Sequence, residues 1–133
     1  MWVTGASQGL GKVLAVELAR LGARVILSSR GRDALEQVKA ECVSARAASG
    51  LGPTGGDAHV RVLPLDLTSP AQEIAKKAEE ADGFFGRVDV LIHNAGASQN
   101  GASWETQPDV DEQMMRLNVL GPMALTKASR RLE

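Results

Sequence analysis

Three glycines in the first dozen residues carry the clearest chemistry of the chain. They stand in the run Thr4-Gly5-Ala6-Ser7-Gln8-Gly9-Leu10-Gly11. An apolar stub, Trp2-Val3, precedes the run, and Leu10, Val13, Leu14, Leu18 and Leu21 recur at helical spacing from its end. Glycine admits positive φ and lets a ligand approach the backbone closely. The free amides of such a turn, with the N-terminus of the next helix, favour an anion. The Ser7 hydroxyl adds a further contact. Strand, glycine turn and helix in this order predict a seat for the pyrophosphate of a dinucleotide, built from Gly5, Ser7, Gly9, Leu10 and Gly11. Glycine spacing alone fits an empty turn equally well; the elements around it favour the ligand.

The end of the second apolar segment discriminates among dinucleotides. An NAD site usually places an acid about 20 residues past the glycines, on the ribose hydroxyls. Here Ser29 stands at that place, after Val25-Ile26-Leu27-Ser28, and Arg30 follows it. A serine does not repel a 2′-phosphate, and a guanidinium grips one through two N–H donors. The pair Ser29-Arg30 therefore favours NADP(H), with NAD(H) as the alternative. Arg32 is a second, weaker candidate for the same role.

These residues need a frame. Strands expected at Trp2-Val3, Val25–Leu27, Val60–Leu65 and Val88–Ile92 alternate with helices from Leu10, over Asp33–Ala48, over Ser69–Phe85 with Pro70 in its first turn, and over Val110–Leu132. Gly22 is expected to cap the first helix. The alternation predicts an α/β fold: a Rossmann-type doubly wound parallel sheet in strand order 3-2-1-4, incomplete because no fifth strand is present. Pro64 cannot donate to a ladder, which puts the third strand at an edge or ends its pairing there. Gly50 to Asp57 holds four glycines and a proline, so a flexible loop is expected at about 49–58. The missing fifth strand is expected to expose Val90, Leu91 and Ile92, and on the fourth helix Met114, Leu117, Val119, Leu120 and Leu125.

Composition excludes several classes. The chain of 133 residues fits one domain or part of one, here the N-terminal part of a single NAD(P)-binding domain over 1–133. A net charge of −1 implies no nucleic-acid partner, and the pair Arg130-Arg131 reads as a solvated helix end. Cys42 is the one cysteine, so no internal disulfide and no cysteine-rich metal site is expected. No apolar run approaches the roughly 20 residues that span a bilayer, and no signal peptide is visible. The turn begins so early that the chain is expected either to start inside its first strand or to lack an upstream segment. Localisation is thus open: cytoplasmic by default, the endoplasmic reticulum membrane if an upstream anchor is missing.

Four motifs in order resemble the short-chain dehydrogenase/reductase family. Thr4 to Gly11 is similar to its cofactor motif, and Asn94-Ala95-Gly96 to its N-A-G motif. Asp66-Leu67 resembles the pair that meets the adenine ring, and Asn118 the asparagine of the family's Asn-Ser-Tyr-Lys catalytic set. The segments Val62–Thr68 and Leu117–Pro122 resemble one branch within it. The resemblance implies a hydride exchanged between a nicotinamide and a carbonyl or alcohol carbon, a small-molecule substrate with a lipid-like one among the candidates, and a homo-oligomer for the complete protein. It assigns Asn118 the holding of a water that links the catalytic lysine to solvent. Pro122, one helical turn later, lacks the amide that would bond the Asn118 carbonyl, so a kink with a free carbonyl is expected there; a plain Gly121-Pro122 bend fits equally well. His93, where the family often has asparagine, is read as a strand-end residue near the cofactor.

The chain departs from the family in one respect above all: it has no tyrosine. No serine or lysine here can be assigned to the other catalytic roles, and Lys127 lies too early. The expectation is an oxidoreductase represented by its N-terminal half and inactive in this form. The alternatives are a non-catalytic nucleotide-binding or regulatory protein of the same fold, and another Rossmann-type enzyme such as an epimerase.

Overall fold

The computed structural model describes residues 1–51, 58–98 and 101–130. Four parallel strands, β1 (Trp2–Thr4), β2 (Val25–Ser28), β3 (Val60–Val62) and β4 (Leu91–Ile92), form one sheet in the order β3-β2-β1-β4. The helices are α1 (Gly9–Arg20), α2 (Arg32–Ala48), α3 (Ala71–Phe85), α4 (Pro108–Met115) and α5 (Gly121–Ser129). The order is the expected one, and β2 pairs with both β1 and β3. Every residue of β2 is buried, as a central strand covered on both faces requires. Val3, Val25 and Leu27 pack on one side with Ala15, Ala19, Leu35 and Val38; Trp2 and Ile26 pack on the other with Ile74, Ala78 and Leu125. Among the described residues no helix is long and apolar enough to cross a membrane. The glycine-rich loop expected at 49–58 falls mostly on 52–57, and Arg131 and Leu132 close the expected last helix; all of these lie outside the described residues.

Several expectations are corrected. Leu10, Val13 and Leu21, which mark the helical period of α1, are 65%, 63% and 67% exposed. The face toward the sheet carries Gly11, Ala15 and Ala19 instead. A helix that begins in a glycine turn lies close to the strands, and small residues let it do so. The single fourth helix is two, α4 and α5, joined by a π-helical turn over Arg116–Leu120. The bend expected before Pro122 is this turn, in which the Gly121 amide bonds the Arg116 carbonyl. Pro70 caps α3 from outside rather than starting it. Leu125, expected to be exposed, is fully buried under α3, whereas Val90 and Leu120 are 41% and 51% exposed.

Pro64 does not end the pairing of the third strand. The Leu63 amide bonds the Leu27 carbonyl (2.9 Å) and the Leu65 amide the Ser29 carbonyl (2.8 Å). Only alternate amides of a parallel strand face a given neighbour, so proline is tolerated at the position between them.

A buried hydrogen-bond relay fixes three strands together. Trp2 Nε1 donates to Ser28 Oγ (2.7 Å), and that hydroxyl donates to the Leu63 carbonyl (2.6 Å). Ser28→Ala leaves the indole N–H unsatisfied and should lower the unfolding free energy by about 1–3 kcal/mol. In a Trp2→Phe background the same change should cost less, because the orphan is gone. Urea unfolding of the four-member cycle checks this; an equal cost in both backgrounds would remove the relay from the account.

Candidate functional site

The carboxyl ends of the four strands open into one cleft of about 700 Å³. It lies where the strand order reverses between β1 and β4, the place at which open α/β sheets bind ligands. Four loops wall it: Gly5, Ser7 and Gly9 after β1; Ser29, Arg30 and Gly31 after β2; Asp66, Leu67 and Thr68 after β3; Asn94 to Ala97 after β4. Gln113, Met114 and Leu117 close the far end.

The first loop is cradle-shaped. Gly5 and Gly9 have φ of +64° and +58°, which side chains resist. A Cβ at Gly5 would lie 2.9 Å from Ala95 N. Thr4 latches the two loops together: its Oγ1 accepts the amides of Asn94 and Ala95 (3.1 Å each) and donates to the Ile92 carbonyl (3.3 Å). Asn94 Nδ2 donates to the Gly5 carbonyl (3.1 Å).

Of the residues read as the pyrophosphate seat, Gly5, Ser7 and Gly9 line the cleft, and Leu10 and Gly11 do not. Leu10 points outward. Gly11 is buried for another reason: a Cβ there would lie 2.1 Å from the Gly5 carbonyl oxygen. Its role is to let α1 start against the turn.

The second and third loops present complementary chemistry. Ser29 Oγ is buried and has no hydrogen-bond partner, and Arg30 is exposed on the cleft wall. Arg32 does not line the cleft and sits 3.7 Å from Glu36. Asp66 Oδ1 accepts the Thr68 amide (2.9 Å) and hydroxyl (2.7 Å). The Thr68 hydroxyl holds the Asp66 carboxyl below the usual carboxylate range, helped by the Thr68 amide and the Arg30 charge and opposed by burial.

Asn118 does not itself line the cleft. Its side chain clasps the fourth loop, with Nδ2 donating to the Ala97 carbonyl (2.8 Å) and Oδ1 accepting the Ala97 amide (3.1 Å). The side chain is thereby committed to the backbone of the fourth loop. Gly121 brings α5 against the third loop, since a Cβ there would lie 2.2 Å from the Leu67 carbonyl oxygen. His93 ends the strand as expected, but its ring turns away from the cleft: Nε2 bonds Thr126 Oγ1 (2.7 Å). The Thr126 hydroxyl donates to the Pro122 carbonyl (2.8 Å), so Nε2 carries the proton.

Sequence reasoning missed Thr4 as a latch, and Thr68, Gln113 and Met114 as wall residues. Asp66-Leu67-Thr68 is legible as an Asx turn. Gln113 and Met114, in α4, had no signal in the sequence.

The comparisons agree with this geometry. The sequence model for short chain dehydrogenases matches residues 1–132, and the chain belongs to that family. It is 40% identical over 128 residues to the human dehydrogenase/reductase SDR family member 7, covering 96% of this chain and 35% of that protein. It is 42% identical over 127 residues to the bovine member 7B, covering 95% and 37%. These matches fall in the branch that Val62–Thr68 and Leu117–Pro122 resemble. Among solved structures, a metagenomic short-chain oxidoreductase in complex with NADP matches at TM-score 0.82 and 33% identity, over 96% of this chain and 52% of that one. An Escherichia coli oxidoreductase matches at TM-score 0.81 and 31% identity, over 96% and 49%. The chain thus spans little more than a third of the curated relatives' length.

Two outcomes follow from the site. Gly11→Ala forces a Cβ into backbone and should cost more than about 3 kcal/mol, whereas Gly9→Ala meets nothing within 4 Å and should cost only the strain of positive φ, about 1–2 kcal/mol. Chemical denaturation of the two variants ranks them, and equal costs would refute the packing role of Gly11. The second outcome concerns pH. Because the folded Asp66 carboxyl is lowered, its contribution is full above the unfolded pKa and is lost as pH falls through the folded one. The stability difference between the protein and Thr68→Val should shrink in that acidic window. A difference that stays constant with pH would show that Thr68 acts only by packing.

Proposed function

We propose that this chain forms the cofactor-binding part of an NADP(H)-dependent oxidoreductase that interconverts a carbonyl and an alcohol. One observation carries the cofactor assignment. At the end of β2 the buried, unpartnered Ser29 Oγ and the exposed Arg30 line the cleft where an NAD site would place an acid. The NADP complex of the metagenomic relative supports the same reading. NAD(H) is the alternative cofactor.

The residues present fit such a cofactor. The Gly5–Gly9 turn and the start of α1 would seat its pyrophosphate, with Ser7 beside them. Ser29 and Arg30 would take the ribose phosphate. Asp66 and Leu67 would flank the adenine, and Asn94-Ala95-Gly96 would line the path toward the nicotinamide. A bound nicotinamide supplies or accepts the hydride. Asn118 holds the fourth loop in place and offers its main-chain carbonyl to a water. The family's proton-donating tyrosine is not among these 133 residues, so proton exchange with substrate needs residues beyond them. Met114 and Leu117 at the far end suit an apolar, lipid-like substrate. Met115 and Met123, 52% and 49% exposed, supply an apolar face for a homo-oligomer of the complete protein.

Titration with NADPH and NADH, followed by nucleotide fluorescence, tests the reading. NADPH should bind more tightly, and Arg30→Ala should erase roughly ten-fold or more of that preference. An unchanged ratio would remove Arg30 from the site. The 133-residue chain should not consume NADPH with a panel of ketones. Steady turnover that survives purification and requires Asn118 would show that the proton donor lies within these residues after all.

A further inference from the structure

The acid that an NAD site carries at the end of its second strand is replaced here by Ser29-Arg30, but a carboxylate stands at the end of the neighbouring strand. The two strand ends are tied together beyond their last paired residues. The Leu65 amide donates to the Ser29 carbonyl at 2.8 Å. Arg30 follows one partner of this bond and Asp66 follows the other, so the two residues leave the sheet side by side. Both are exposed, and both line the cleft.

They do not form an ion pair. Among the described residues Arg30 has no carboxylate within ion-pair distance. Asp66 is held by Thr68 instead. Its Oδ1 accepts both the Thr68 hydroxyl and the Thr68 amide, and its Oδ2 takes no hydrogen bond among the described residues. The Thr68 hydroxyl first, then the Thr68 amide and the Arg30 charge, hold the carboxyl low, so it stays ionised near neutral pH. The cleft wall thus presents a cation and a clamped anion next to each other. A hydrogen-bond acceptor for an adenine ring needs no charge, and an asparagine would serve it as well. The charge matters to another charge. A phosphate seated at Ser29-Arg30 is attracted by Arg30 and repelled by Asp66, whereas a ribose hydroxyl carries no charge for either to act on.

We infer that Asp66 is a specificity-determining residue that opposes Arg30 and holds down the preference for a 2′-phosphorylated nucleotide. The inference rests on the NADP(H) reading above. The test is calorimetric titration with adenosine 2′,5′-bisphosphate and adenosine 5′-monophosphate, which differ by the 2′-phosphate alone and need no nicotinamide site. The unsubstituted protein should prefer the bisphosphate. Asp66→Asn, which keeps an oxygen for Thr68, should raise that preference about three-fold, almost wholly through tighter bisphosphate binding. The gain should shrink as salt rises, because both charges are exposed. In an Arg30→Ala background the same change should again favour the bisphosphate, since the repulsion acts on the phosphate and not through Arg30. Equal shifts for the two nucleotides would assign Asp66 to the adenine alone, and an unchanged preference in both backgrounds would remove it from the charge balance; either overturns the inference. Failure of the cofactor reading shows elsewhere, in an unsubstituted protein that binds neither nucleotide, and it would overturn this inference as well.

Discussion

The cleft depends on one backbone-to-backbone contact, between the Gly5 carbonyl and the start of α1 at Gly11. A single methyl group at Gly11 would sit 2.1 Å from that oxygen and 2.4 Å from Asn94 Nδ2. The contact fixes where the first turn of α1 begins, and so where its free amides point. Asn94 enters the same junction from β4, and Thr4 holds the Asn94 and Ala95 amides from β1. Three elements converge with little more than hydrogen atoms between them. The cleft opens in front of this junction. A larger side chain at Gly11 would push the helix away and open the turn, although Gly11 does not line the cleft.

The same closeness shapes the interior. With α1 held against the sheet, its inner face takes Gly11, Ala15 and Ala19, and its large side chains turn outward. The opposite side of the sheet has no such constraint and packs Trp2, Ile26, Leu63 and Ile74. There the Trp2–Ser28–Leu63 relay adds direction to a core that otherwise specifies only volume. It ties the last residue of β2 to the residue that follows β3. Ser29 with Arg30 and Asp66 with Leu67 therefore face the cleft in a fixed relation, close enough for the Arg30 charge to reach the Asp66 carboxyl.

Element types and strand order were legible because short apolar runs separated by helical ones admit few arrangements. The four loops of the cleft were legible for a related reason: in a parallel sheet each strand end is a place, and the residues at those ends can be named in advance. Side-chain direction was less so. Leu10, Val13 and Leu21 fit the helical period as well as Gly11, Ala15 and Ala19 do, and hydrophobicity selects the wrong set. The close approach of α1 decides between them, and that is a tertiary fact. His93 shows the same limit, since strand alternation sends its ring to α5 while its neighbour Asn94 faces the turn.

The π turn is where local and tertiary demands meet. Pro122 withholds one amide from the helix, so a bend is foreseeable from the sequence but its form is not. The form is set by two contacts on either side. Asn118 must reach the Ala97 backbone with both its amide nitrogen and its oxygen. Gly121 must lie against the Leu67 carbonyl, where even a methyl group would collide. An extra residue per turn over Arg116–Leu120 rotates α5 relative to α4, which lets one continuous stretch meet both the fourth loop and the third. The far wall of the cleft is formed by Met114, near the end of α4, and Leu117, within the turn itself. Asn118 thus organises the site from outside it, by holding the loop that the cofactor would run along.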